Sequence, residues 1–514
     1  MRGKFQKPLL LGLAVALLVG ASLAQRGLNA DRDQLGLTRV APLENAPPVL
    51  AFTTVALGGF RGLISNLLWI RANDLQDQDK FFEMVQLADW ITKLEPHFTH
   101  VWLVQAWNMA YNISVKFKDF ADRWRWVYAG IELLRDDGLR YNPNNVLIYR
   151  EIAWFFQHKM GANLDDANLY YKQQWAEQIS QVLGPGGKPD FAALLDPQTN
   201  DQRARARLLR DKFKMDPAVM QAVDQQYGPL EWRLPEASAI YWAYAGLQKA
   251  QQFPDKVSKD DLITLRRVIY QSMQLAFYRG RLISNPFAKR FEFAPNLEIL
   301  PQANAAYVQQ MDEDEKDRDH IAHAHRNFLR DAVYFLYERG RLADAARWYR
   351  YLGQLYPNQM VLDGQPDSLP SKVSLEEYAI GRIQEDVGET SHDRVKAALE
   401  GMLFQSYENL ALGEDDHAYG MKALAKKIYD AYESKIPEDQ KPRVGLPPFD
   451  DLEREVRRRV LDPQQGLPYE ARQIIRTKLR LPAEAPPAPS TNAPPASTNV
   501  PAAAGGPVPG PTGP

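Results

Sequence analysis

The feature that most constrains this chain is the apolar period of its middle. Val85, Leu87, Ala88, Ile91 and Leu94 follow one another at spacings near 3.6 residues, and so do Phe328, Ala332, Phe335 and Leu336. That period places apolar side chains on one face of an α-helix. Alternating β-branched runs, the mark of half-buried strands, are scarce. No glycine-rich phosphate loop follows a strand-like run. The expectation is an all-α fold. Of the 514 residues, 45% are apolar and 25% charged, enough to bury a large core and keep a soluble surface.

The two ends differ from the middle. Arg2, Lys4 and Lys7 form a basic leader before the 16-residue uncharged run Leu9–Ala24. Ser22 and Ala24 then offer small residues at signal-peptidase spacing. The run is shorter than the ~20 residues a spanning helix prefers. Cleaved signal peptide and uncleaved membrane anchor both remain open, and both send the body out of the cytoplasm. The expected location is periplasmic, or anchored to the inner membrane with the body outside. A second apolar stretch, Val49–Phe60, reads as the first buried helix of the body, with a membrane-surface segment as the alternative. At the other end, residues 482–514 hold 11 prolines in 33 residues and one charge, Glu484. Such a stretch buries too little apolar area to offset its ordering entropy and is expected to be a disordered spacer.

Cysteine is absent. That removes disulfides, thiolate metal sites and cysteine nucleophiles. The formal net charge of −2 implies no field of one sign, so nucleic acid is not an expected partner.

The helical middle contains a repeat. Residues 327–357 read N-F-L-R-D-A-V-Y-F-L-Y-E-R-G-R-L-A-D-A-A-R-W-Y-R-Y-L-G-Q-L-Y-P. Gly340 would end a first helix, Ala345 would sit where a second helix crosses it, Tyr349 would fill the gap behind and Pro357 would stop the pair. This stretch resembles the tetratricopeptide repeat. Looser copies carry Trp69, Phe81, Phe82 and Pro96, then Trp102 and Ala106, then Tyr149, Ala153, Gly161, Ala167, Tyr170 and Tyr171. Trp242 with Gly246, and Gly413 with Ala418, match more loosely. The resemblance implies antiparallel helix pairs stacked as an α-solenoid. Pro96 and Pro143 are 47 residues apart, so the second unit carries extra residues. The block F-R-G-L-I-S-N-L-L-W-I-R-A, from Phe60 to Ala72, resembles one in exported bacterial repeat proteins and adds no activity. The organisation expected is a signal or anchor at 1–24, a linker at 25–48, a helical region at 49–181, a loop-rich insertion or cap at 182–235, a second helical region at 236–480 and the tail at 481–514.

Few constellations suggest chemistry. His320, His323 and His325 follow an acidic run. On a helix the third histidine turns roughly 140° from the first at 100° per residue, so three ligands do not converge. A solvated, charged helix start is expected, and no metal. The arginines at 203, 205, 207 and 210 wrap around a helix, and Arg457, Arg458 and Arg459 sit beside acids that can pair with them. No G-x-S-x-G elbow and no H-E-x-x-H helix occurs. No catalytic residue and no cofactor is assigned.

The resemblance also implies a concave surface lined by the first helix of each pair. Its groove positions fall on Asn66, Trp69 and Asn73; on Trp107 and Tyr111; on Arg150, Trp154 and His158; and on Asn327, Arg330, Tyr334 and Tyr337. Amides and guanidinium groups hold backbone and carboxylates, and rings supply buried area. The expected function is an exported scaffold that binds protein or peptide partners in the bacterial cell envelope. The alternatives are an exported all-α carbohydrate-active enzyme, suggested by the 11% aromatic content, and a structural spacer that binds nothing.

Overall fold

The computed structural model describes residues 12, 16–17, 19–28, 31, 61–184, 187–254, 257–285, 290–387, 392–434, 436 and 445–485. The stretch Val49–Phe60, most of the leader and linker, and the tail from 486 onward lie outside these residues. The fold is all-α as the period implied, with one short ribbon among the described residues. The described residues of the leader are helical and exposed, with Leu17, Val19 and Leu23 each more than half accessible. No helix among the described residues is long and apolar enough to cross a membrane.

The chain forms two compact units, residues 1–280 with 298–318, and residues 281–297 with 319–514. In the first unit, α1 (Arg61–Asp77) and α2 (Phe81–Leu94) pack together across a short turn. Ala72 and Leu75 of α1 meet Phe81 and Met84 of α2 there. Next come α3 (Thr99–Trp107) and α4 (Phe120–Glu132), then α5 (Val146–Trp154) and α6 (Asn168–Ile179). Each of α3, α4 and α5 runs directly into a π-helical segment, at Asn108–Ile113, Leu133–Gly138 and Phe155–Gly161. The extra residues between Pro96 and Pro143 are taken up by two long helical runs, 99–116 and 120–141. The two proline carbonyls anchor the neighbours: Trp102 Nε1 and Asn142 Nδ2 donate to Pro96 O, and the Tyr149 hydroxyl donates to Pro143 O.

The helices α7 (Phe191–Leu195), α8 (Asn200–Asp211) and α9 (Pro217–Tyr227) occupy the region read as an insertion. Their starts follow the sequence. Asp190 caps α7, Thr199 and Gln202 make a capping box on α8, and Asp216 precedes Pro217 on α9. Arg203 and Arg207 of α8 are exposed, and Arg205 pairs with Asp201. The long α10 (Pro235–Gln252) packs on α5 and on α11 (Lys259–Arg279), and α12 (Leu300–Glu313) packs on α11. Gly246 of α10 permits the contact with α5, because a Cβ there would lie 2.9 Å from that of Tyr149. Trp175 is buried between Phe156 and Phe213, with ring centroids 4.7 and 5.6 Å away. Burying each such ring contributes roughly 1.5–3 kcal/mol.

The second unit opens with an antiparallel ribbon, β1 (Arg281–Asn285) and β2 (Arg290–Ala294), with Arg281 opposite Ala294. Five-residue strands are too short to stand out from a helical background. The helices α13 (Arg318–Glu338) and α14 (Leu342–Leu355) follow. Gly340 takes a left-handed backbone, φ 71°, and the Arg341 amide returns to Leu336 O at 2.9 Å. Ala345 is fully buried and Tyr349 nearly so. The unit closes with α15 (Leu375–Val387), α16 (His392–Leu412), α17 (Asp415–Glu433), α18 (Phe449–Val460) and α19 (Tyr469–Lys478).

Two details depart from the sequence reading. His325 is not solvated: it is fully buried, with its Nδ1 2.8 Å from the Tyr356 hydroxyl, while His320 and His323 are exposed. The turn that keeps three ligands apart drives the third ring into the core. Second, residues 481–485, the start of the expected tail, lie against α19. Glu484 accepts from Arg472 at 2.6 and 2.9 Å, and Gln473 donates to its carbonyl.

Candidate functional site

Four of the groove candidates in the first unit come together. Trp107 closes α3, and Tyr111 follows in the first π-helical segment. Their rings stack at 5.1 Å. Trp154 closes α5, and His158 follows in the third π-helical segment. Their rings stack at 4.5 Å and 11°. The two pairs join through the Tyr111 hydroxyl and His158 Nδ1, 2.9 Å apart. The result is one ladder, Trp107–Tyr111–His158–Trp154. π-Helical turns recur at functional sites because the extra residue per turn redirects side chains. Here one such turn follows Trp107 and another follows Trp154.

The protonation of the ladder follows from its surroundings. Burial pushes the Tyr111 phenol up, and the carboxylate of Glu151 adds to the rise. Burial, and then the Lys159 charge, hold His158 below its ordinary value. At neutral pH the phenol is protonated and the imidazole neutral. The hydroxyl therefore donates, Nδ1 accepts, and the proton of the imidazole sits on Nε2. A nucleophile would need the opposite shift, toward the ionised form. The arrangement offers ring faces and one imidazole donor. At its open end Trp107 is 43% accessible. Arg150, on α5 four residues before Trp154, is half-buried and donates to Glu151 at 2.9 Å.

A buried ionic frame holds the ladder in place. Lys159 lies over the Tyr111 ring at 5.0 Å and pairs with Asp165 at 2.6 Å. Burial alone would raise the Asp165 carboxyl, but the bonds from Lys159 and the Ala167 amide bring it below the usual range. Arg123 of α4 bonds both Asp165 and Asp166. Close by, Lys172 of α6 is buried, which lowers it to about 8. Arg279 of α11 reaches Glu236 of α10 at 3.3 Å and donates to Asn163 at 2.8 Å. Burial raises the Glu236 carboxyl, against the pull of Arg279. The sequence reading did not include this frame. Its one visible signal is the pair Asp165-Asp166 just after the Gly161 turn, too short to separate from an ordinary loop.

The remaining candidates lie elsewhere. Asn66 and Asn73 are exposed on α1, and Trp69 packs with Phe98 and His100 at 6.3 and 5.9 Å. In the second unit Arg330 and Tyr337 are buried, and Asn327 and Tyr334 are half-buried. Arg330 is 3% accessible and pairs with Asp363 at 2.9 Å, and its carbonyl accepts from the Tyr378 hydroxyl. Asn327 accepts from Arg326 at 3.3 Å. Tyr334 lies under the Arg382 guanidinium, itself bound to Asp331 at 2.9 Å. The buried Tyr337 hydroxyl accepts from Lys427 at 2.7 Å.

The first unit also exposes several large apolar side chains. Leu63, Leu67, Ile70, Phe82, Trp90 and Phe98 are each more than a third accessible. Among the described residues no group of histidines and carboxylates is placed to hold a metal ion. No protein-family model, no curated protein and no solved structure matches the chain.

Proposed function

We propose that the chain is an exported helical-repeat scaffold, tetratricopeptide-like in its helix pairs, that binds protein or peptide partners through the first unit. The observation that carries this reading is the ladder: four side chains from two separate helical runs meet in one aromatic row, framed by buried ion pairs and open at Trp107. Aromatic rings that are held rigid and left accessible are the side chains that anchor partners best, because they lose little entropy on binding. The exposed apolar side chains of α1 and α2 extend the same preference across the unit. The imidazole donor of His158 suits a peptide backbone or a carboxylate.

The export reading rests on the basic leader and the uncharged run after it, and places the body in the periplasm or on the outer face of the inner membrane. Fractionation and N-terminal sequencing of the mature chain test it. A chain recovered in the cytoplasm with Met1 in place would end it. For the ladder, Trp107→Ala should leave the fold intact and lower partner recovery at least tenfold after crosslinking in cells. Equal recovery would end the binding reading and leave the spacer alternative.

A further inference from the structure

The first unit contains a second concave site, distant in sequence from the ladder and built from other helices. It is a cleft of about 470 Å³ between α9, α10, α11 and α12. That volume lies within the roughly 300–1,000 Å³ of ordinary ligand sites. Its walls are Leu247, Leu262 and Ile269, with Pro254 and Val257 at one end. Three tyrosines face it, Tyr227, Tyr244 and Tyr270, the first two meeting edge to face at 6.4 Å. Burial pushes the Tyr227 phenol up to about 12, so it stays neutral.

The charge inside is cancelled. Among the described residues Arg266 is the one lining side chain that carries charge, and it lies 3.3 Å from Glu313. Glu313 also accepts from the Tyr270 hydroxyl at 2.9 Å and from Gln309 at 3.1 Å. The polar rim consists of amides, Gln226, Gln248, Gln251 and Gln309. A neutral cleft with tyrosine faces and amide donors does not suit an anion, a cation or a long apolar chain. It suits a segment whose side chains are flat, uncharged rings and whose carbonyls stand free of internal hydrogen bonds. Proline-rich peptide has that chemistry, and it arrives with little conformational entropy left to lose.

The chain supplies such a segment. Residues 486–514 hold ten prolines and no charge, and they follow Glu484, which Arg472 clasps. We propose that the Tyr227–Tyr244–Tyr270 cleft is a binding site for uncharged proline-rich peptide, and that its occupant is residues 486–514 of this chain. This does not depend on the ladder being a partner site.

The test is site-specific photo-crosslinking in the purified full chain, with p-benzoylphenylalanine at Gln248 on the cleft rim. The control position is Gln173, exposed on α6. Mass spectrometry should map the Gln248 adducts to residues 486–514, at a yield at least tenfold above Gln173. Tyr244→Ala should cut that yield at least fivefold, with helicity by circular dichroism unchanged. Replacing the tail prolines with alanine should do the same with the cleft intact. Equal yields at the two positions, adducts that avoid the tail, or insensitivity to the prolines would each overturn the proposal. Loss of Trp107 should change none of these yields, which separates this site from the ladder.

Discussion

The two units treat the same kind of candidate in opposite ways. In the second unit, the stretch 327–357 fits the helix-pair pattern best, and its candidates Arg330 and Tyr337 are buried and paired, while Tyr334 is half-buried under Arg382. In the first unit the pattern is looser, yet Trp107, Tyr111, Trp154 and His158 form a row with an accessible end. A close match to a packing pattern marks residues that pack. A departure such as a π-helical turn takes side chains out of the regular packing and frees them for another use.

The sharpest way to break this comparison is to remove the frame of each. Asp165→Ala leaves Lys159 without its partner inside the first unit, while Arg123 keeps Asp166. The cost should be about 3–5 kcal/mol, because a buried charge is left uncompensated. Arg330→Ala should destabilise the second unit by about 2–4 kcal/mol, since it removes a buried side chain together with its ion pair. Differential scanning calorimetry should show each substitution lowering one transition. A silent Arg330→Ala would mean that the second unit's candidates are free for binding after all.

Acid should act on the second unit through His325. Burial holds its folded pKa at about 4, against an ordinary value of 6.5. The neutral ring is therefore favoured by folding. Its contribution is complete above pH 6.5 and is lost as the pH falls toward 4. Between pH 7 and pH 5 the loss should be about 2 kcal/mol. His325→Gln should flatten the dependence of the denaturation midpoint on pH over that window. His158 shifts in the same direction, so the first unit should lose some stability on acidification too. A pH-independent midpoint in the wild-type chain would contradict both assignments.

Smaller effects are expected at the open positions. Trp107→Ala should cost about 1 kcal/mol or less, as for a partly exposed side chain. Glu484→Gln weakens an ion pair with Arg472 and should also cost about 1 kcal/mol. Limited proteolysis should then cut nearer to α19. An unchanged cleavage pattern would mean that the clasp does not fix where the tail begins.

The all-α class was legible because helical period survives over hundreds of residues. So were the turn at Gly340 and the buried Ala345 beyond it, since a left-handed turn and a close crossing each demand a particular residue. The ladder was legible only as separate residues. Its assembly depends on two segments that wind more widely than an α-helix, and no local signal announces such a turn. The ion pair of Lys159 with Asp165 was hidden for another reason. The two residues are near in sequence but are buried by α6 and its neighbours, which the period does not place. His325 misled because the polar run H-I-A-H-A-H reads as solvated, whereas its third histidine falls on the apolar face of Ile321 and Phe328.

Partner binding is expected at the ladder and not at the repeat 327–357. The most direct measurement is photo-crosslinking in living cells, with p-benzoylphenylalanine placed at Trp107 and, in a separate chain, at Tyr334. A discrete adduct to one protein or peptide at 107, and none at 334, is the predicted result. Adducts at 334 alone, or at neither position, would contradict the account.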